Sequence, residues 1–306
     1  MTPPRPREAR LATLALLTAT AVWGGTFVTV KDALAGADTF TFLALRFTIG
    51  ALTAAVLAAA LARKFPEHRV TDWPRLVRSG GVLGLLLFGG YLLQTLGLER
   101  TTPARSAFVT GLTVIFVPFV AWRLERKAPP LRSFIAPFVA VFGLQQLTGV
   151  SVGDAIPTGD ALTLGCAVLY AIHIALMSRL SRGLPPLALT ALQLVIVAVL
   201  STACLPFVER RFDGSPTVWF AIAFTGIAAS ALAIGAQVWA QARMTAVRAA
   251  VIYSLEPVFV LVLSALTGAG FPSVPELRGG ALILLAVLIS EVPLRSVLRL
   301  PAREEN

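Results

Sequence analysis

Charge is what this chain has least of. Only 14% of its 306 residues are charged, against about 25% in an ordinary soluble domain. With 56% hydrophobic residues and a mean hydropathy of +0.79, it has too little polar surface to cover a water-facing globule. It belongs in lipid. Cysteine is scarce as well. Cys166 and Cys204 both lie in apolar segments, which excludes a disulfide framework and reads as small apolar filler. No His/Cys/Asp cluster has metal-ligand spacing. No GxxxxGK[ST] loop, GxSxG elbow or HExxH pair occurs, so neither ATP hydrolysis nor hydrolase chemistry is expected within the chain. No cofactor or metal is expected. The net charge of +10 does not indicate a nucleic-acid partner, because the basic residues sit in short loops between apolar runs.

Long apolar runs are present instead. The first follows Arg5, Arg7 and Arg10 and resembles a signal peptide, but nine more runs follow it, so a first membrane helix is the better reading. About 20 apolar residues cross the hydrocarbon layer as a helix. That length marks ten segments: 12–31, 39–61, 76–98, 104–122 and 132–149, then 160–179, 186–206, 217–240, 245–267 and 276–293. Helices are expected because lipid offers no partner to open backbone groups.

The two sets of five are copies. Gln94, Arg100, Thr102, Arg105 and Ala107 recur 143 residues later as Gln237, Arg243, Thr245, Arg248 and Ala250. Upstream the spacing is 147, taking Ala44, Leu45, Ile49 and Ala51 to Ala191, Leu192, Ile196 and Ala198. With the N-terminus in the cytoplasm, 19 Lys and Arg lie in inner segments and 6 in outer ones, with Arg46 inside a span. That bias puts both termini inside. Five spans per copy is an odd number, so the second copy enters the membrane upside down, a recurrent design of secondary transporters. The expected fold is an all-α integral membrane protein of ten transmembrane helices in two inverted five-helix repeats. The repeats occupy 12–149 and 160–293, joined by an external linker at 150–159, with cytoplasmic tails at 1–11 and 294–306.

Ala21-Val22-Trp23-Gly24, Leu45-Arg46-Phe47, Leu169-Tyr170-Ala171 and Ser254-Leu255-Glu256-Pro257-Val258-Phe259 carry a further likeness. Through them the chain resembles EamA-type transporters of the drug/metabolite transporter superfamily over roughly residues 12 to 293. The resemblance implies a ten-span exporter or importer of small metabolites. One departure is visible: Glu125 follows the fourth span, but the second copy reads Thr267-Gly268-Ala269-Gly270 at the matching place.

Polar residues inside spans are the candidates for a substrate site. Glu256, at the centre of span nine, would bind a proton or a substrate ammonium, or else hold neighbouring helices. Arg46 is seven residues into span two, about 10 Å below its edge at 1.5 Å per residue, and would meet a substrate carboxylate or snorkel outward. Gln94 and Gln237 are a symmetric pair, as are Trp23 and Tyr170; each would line a cavity or glue helices. Tyr91, His173 and Tyr253 are further cavity candidates. Pro118 and Pro257 are expected helix kinks. Gly80-Gly81-Val82-Leu83-Gly84 and Gly89-Gly90 suit close helix packing.

These residues point to a central cavity lined by spans one, three, four, six, eight and nine. The expected function is alternating-access transport of a small polar or amphipathic metabolite such as an amino acid across the inner membrane. Export is expected ahead of uptake by the same fold, driven by protons or by the solute's own gradient. A membrane-embedded enzyme or lipid-handling protein is the alternative of another class. The lipid bilayer and a small-molecule substrate are the expected partners, and a homodimer stays open.

Overall fold

A computed structural model describes residues 6–126, 132–148, 157–259, 262 and 273–291. Both tails beyond these, most of the linker and the stretch 267–270 lie outside the described residues. Helices account for nearly all of it: α1 (Pro6–Gly24), α2 (Thr26–Gly36), α3 (Thr39–Lys64), α4 (Trp73–Glu99), α5 (Pro103–Gly111), α6 (Thr113–Glu125), α7 (Arg132–Thr148), α8 (Thr158–Leu180), α9 (Pro186–Cys204), α10 (Pro216–Phe224), a π-helix (Thr225–Leu232), α11 (Ala233–Gln241), α12 (Ala246–Tyr253) and α13 (Val274–Glu291). Among the described residues β-structure is limited to one isolated bridge, Ala37 with Phe212.

Among the described residues, seven stretches are long and apolar enough to cross a membrane: Arg7–Ala33, Thr39–Lys64, Trp73–Glu99, Arg105–Leu124, Thr158–Leu180, Pro186–Phe207 and Pro216–Gln241. They match sequence segments one to four and six to eight. Segment five is α7, of 17 residues; segment nine begins as α12; segment ten is α13, of 18 residues. Contacts between helices follow a two-fold exchange of the halves. Segment two packs on seven (α3 on α9) and five on ten (α7 on α13). Segment three meets six (α4 on α8) as eight meets one (α11 on α1), and four meets six as nine meets one.

The spans differ from the sequence reading in being interrupted. Segment one stops at Gly25, and Thr26 Oγ1 and Thr29 Oγ1 donate to the carbonyls of Trp23 and Gly25 at 2.8 and 2.9 Å. Segment four breaks at Leu112 and segment nine at Ser254 and Leu255. There Thr113 Oγ1 donates to the Thr110 carbonyl and Ser254 Oγ to the Val251 carbonyl, each at 2.6 Å. The hydroxyls cover backbone acceptors that the breaks release, as lipid demands. Both fourth segments begin alike, with Thr102 and Thr245 accepting from the Arg105 and Arg248 amides at 3.3 Å.

Segment eight carries the π-helix where it crosses α3. A Cβ on Gly226 would lie 2.7 Å from the Arg46 carbonyl, and one on Gly50 would lie 2.9 Å from the Gly226 carbonyl. Backbone therefore meets backbone. Gly226→Val should cost at least the roughly 1–3 kcal/mol of core overpacking. The check is thermal unfolding in detergent, and an unchanged melting temperature would contradict the close crossing. On α4, Gly80 and Gly84 face Leu192 and Ile196 of α9, and Gly90 faces the Tyr170 ring.

At one end the loop after α9 is laced to the end of α2. The Arg211 amide donates to Asp38 Oδ2 at 3.0 Å, and Arg211 Nη2 donates to the Leu34 carbonyl at 2.6 Å. Asp38 also caps α3, accepting from the Thr41 amide at 2.9 Å. Burial pushes its carboxyl up, but the hydrogen bonds from Thr41 and Arg211 outweigh that and hold it below the usual carboxylate range. A lowered folded value means that its contribution is complete above the unfolded value near 3.8 and fades as pH falls through the folded value. Asp38→Ala should therefore lower stability by about 1 kcal/mol at neutral pH and by progressively less in acid. Melting curves at pH 7 and below 4 test the sign.

Candidate functional site

One internal cavity of ≈ 110 Å³ lies among the helices. A single water needs roughly 10–15 Å³, so the space holds several waters or one small solute. It is lined by Trp23, Arg46, Tyr91, Gln94, Tyr170, His173, Gln237, Tyr253 and Glu256. All nine polar and aromatic candidates from the sequence are thus gathered in one place, including all three tyrosines of the chain. Segments one, three, four, six, eight and nine contribute, and segment two adds Arg46.

Two ionisable side chains of opposite type, Arg46 and Glu256, line the cavity. Arg46 on α3 is 3% exposed; its Nε donates to Ser230 Oγ of the π-helix at 3.2 Å. Its guanidinium sits 4.7 Å from the Tyr91 ring centroid and 5.0 Å from that of Phe47, within cation–π range. Snorkelling is therefore not what it does: the side chain is buried against rings and a hydroxyl. Glu256 opens the short helical stretch 256–259 after the break in segment nine. Neither Arg46 nor Glu256 forms an ion pair among the described residues. A charged group in such surroundings is expensive unless something pairs with it.

A polar and aromatic lining joins them. Tyr170 donates to Gln94 Oε1 at 3.3 Å, and Gln94 Nε2 donates to Thr110 Oγ1 at 3.2 Å. Tyr91 packs edge-on between Phe47 and Tyr170, with centroids 4.7 and 5.7 Å apart. His173 Nε2 and Gln193 Oε1 are 2.9 Å apart at the cavity wall. Gln237 donates to Gln241 Oε1 at 2.9 Å, and Gln241 donates to the Ile174 carbonyl at 3.1 Å. Trp23 Nε1 donates to the Ala229 carbonyl at 2.8 Å, an acceptor supplied by the π-helix, and its ring meets Tyr253 edge-on at 5.5 Å. The Tyr253 hydroxyl is buried beside Gln237 in the same lining.

The two expected kinks have different settings. α6 runs through Pro118, and its interruption lies earlier, at Leu112. Pro257 follows the Ser254–Leu255 break and sits at the start of the resumed helix, where a missing amide hydrogen costs little. Threonines and serines at the breaks, among them Thr26, Thr110, Thr113 and Ser254, also line the cavity. Sequence reasoning passed over most of them, because a hydroxyl inside an apolar run usually bonds its own helix.

Each end of the bundle has a contact that joins the halves. At one, Arg105 Nε and Nη2 donate to Asp160 Oδ2 at 2.9 and 2.5 Å, and Thr101 donates to Asp160 Oδ1 at 2.7 Å. At the other, Arg248 Nη2 donates to Thr13 Oγ1 at 2.9 Å. Arg105 and Arg248 are repeat counterparts at spacing 143, and Thr13 and Asp160 at spacing 147. The same bridge is therefore built twice.

Membrane-length helices surround a cavity lined by polar, aromatic and ionisable side chains, and family comparison makes this a membrane transport protein. The EamA-like transporter family matches residues 10–147 and again 157–291, two stretches whose starts lie 147 residues apart. The chain belongs to the EamA-like transporter family. An "Uncharacterized transporter" of Archaeoglobus fulgidus is 31% identical over 278 residues, covering 91% of this chain and 85% of that one. "Uncharacterized transporter YyaM" of Bacillus subtilis is 26% identical over 231 residues, covering 72% and 73%. A solved crystal structure at 24% identity shares the fold, with a TM-score of 0.75 over 92% of this chain and 96% of the other.

Proposed function

We propose that this chain is a secondary active transporter that carries a small zwitterion, an amino acid or close analogue, across the inner membrane by alternating access. The observation that carries this reading is that Arg46 and Glu256 line one cavity. The arginine suits a carboxylate and the glutamate an ammonium, and the aromatic rings of the same lining suit the apolar body of the solute. The two charges come from different copies, segment two of the first and segment nine of the second, so a solute bridging them would tie the halves together.

Ten spans in two inverted halves, with both termini inside, fit the two-fold exchange of helix contacts and the loop charges. Exchanging the halves' conformations would then turn a cavity open to one side into one open to the other. The test has two stages. A thermal-shift screen against amino acids finds a binder, since a ligand stabilises the folded state by mass action. Counterflow of the radiolabelled hit in proteoliposomes should then show exchange of unmodified solute, and runs under opposed gradients assign export or uptake. A chemically altered product would favour the enzyme alternative, and no counterflow of any zwitterion would overturn the proposal.

A further inference from the structure

We infer that Lys31 is the bar that closes the passage between the central cavity and one mouth of the bundle, and that solute passes there between α2 and α4. The inference rests on the transport reading. Two spaces meet at this point. Val30 and Leu98 line the central cavity, while their neighbours Lys31 and Glu99 line a shallow vestibule open to the surface together with Arg100, Thr101 and Arg105. Each helix thus gives neighbouring residues to both spaces, and the boundary between them runs along Val30–Lys31 and Leu98–Glu99. Across it runs the Lys31 side chain, whose Nζ donates to the carbonyls of Leu98, Glu99 and Thr101 at 2.6, 3.1 and 3.1 Å.

An ammonium has three donors and all three are used. Their acceptors lie at and just past the C-terminal end of α4, where carbonyls have no intrahelical partner and the helix dipole is negative. The ammonium thus holds α2 to the end of α4 with charge-assisted bonds, directly above Val30 and Leu98. α2 is also set off from α1 by a single turn residue, Gly25, so the Lys31 bonds act beside a local interruption of segment one. The bar stands at the same end as the Arg105–Asp160 bridge and acts on a different pair of helices, α2 with α4 rather than α5 with α8. Releasing Lys31 opens the wall to the vestibule; re-forming its three bonds shuts it.

The test reads access rather than transport. With Cys166 and Cys204 replaced by Ala, a T95C reporter sits in the cavity one turn below Leu98. Labelling by a membrane-impermeant maleimide is measured in intact cells and in inverted vesicles. K31A should raise the labelling rate at least about tenfold in one of the two preparations, the shift expected from losing a single charge-assisted hydrogen bond. K31R, which keeps a cationic donor at this position, should label much closer to the parent rate. Unchanged labelling in both preparations by a monodisperse K31A protein would overturn the inference, as would K31R labelling as fast as K31A. If K31A does not yield monodisperse protein, K31Q is read in its place with the same increase expected, and parent-like labelling of K31Q in both preparations puts the passage elsewhere. A parent protein that exchanges no solute, while K31A still raises labelling, would sink the transport reading and leave the gate standing.

Discussion

Glu256→Gln is expected to reduce counterflow of an amino acid by about 30-fold or more. Removing one member of a desolvated charge pair costs roughly 2–5 kcal/mol, and each 1.4 kcal/mol is a factor of ten. Glutamine keeps the size and the hydrogen-bonding capacity of the side chain, so helix packing around the Ser254–Leu255 break should survive. The loss must then come from the missing negative charge in the cavity. If instead the carboxyl is protonated and holds helices together, the glutamine variant will exchange solute as the parent does. The pH profile separates a further case. A glutamate that carries the coupling proton makes transport depend on pH, and that dependence should vanish in Glu256→Gln together with accumulation against a gradient. Full transport with an unchanged pH profile would remove Glu256 from the mechanism.

Arg46→Met should be as damaging, and selectively so. The guanidinium is buried over the Tyr91 and Phe47 rings and holds Ser230 at 3.2 Å, so methionine replaces its volume while deleting its charge. For a zwitterionic solute the deficit should fall on the carboxylate end. Comparing an amino acid with its amide in parent and Arg46→Met protein forms a double-mutant cycle between side chain and ligand. The parent should prefer the acid by about 30-fold or more, and the variant should lose that preference. Equal discrimination in both proteins would show that Arg46 serves the fold through Ser230 and does not meet the carboxylate. Arg46→Lys is a useful companion, since it keeps the charge but not the planar contact with the rings.

Much of the cavity was legible because polar residues are rare here. When only 14% of residues are charged, an arginine and a glutamate well inside apolar runs stand out, and so do three tyrosines in 306 residues. The repeat spacing paired Gln94 with Gln237 and Trp23 with Tyr170, and all four side chains face the same space. Helix continuity was far less legible. Gly25, Leu112 and Ser254 carry no mark that distinguishes a break from an ordinary small or apolar residue in a span. The hydroxyls that cover the released carbonyls look the same in sequence as those that bond back along an intact helix. Arg211 and Asp38 likewise gave no pattern, since their contact joins segments 173 residues apart. Lys31 entered the sequence reading only as one of the six outer basic residues, because its three acceptors are backbone carbonyls at the end of another helix and backbone acceptors leave no trace in sequence.

The π-helix at Thr225–Leu232 has a consequence for how relatives are compared with this chain. A wide turn uses more residues than an α turn, so side chains beyond it point in directions that a plain 3.6-residue count does not give. Gln237, five residues past its end, reaches the cavity from this altered phase. A relative whose eighth segment is α-helical throughout would present a different face at the residue aligned with Gln237. Its functional equivalent should then be sought one position along, and identity at that column says nothing about a shared site until the local winding is known.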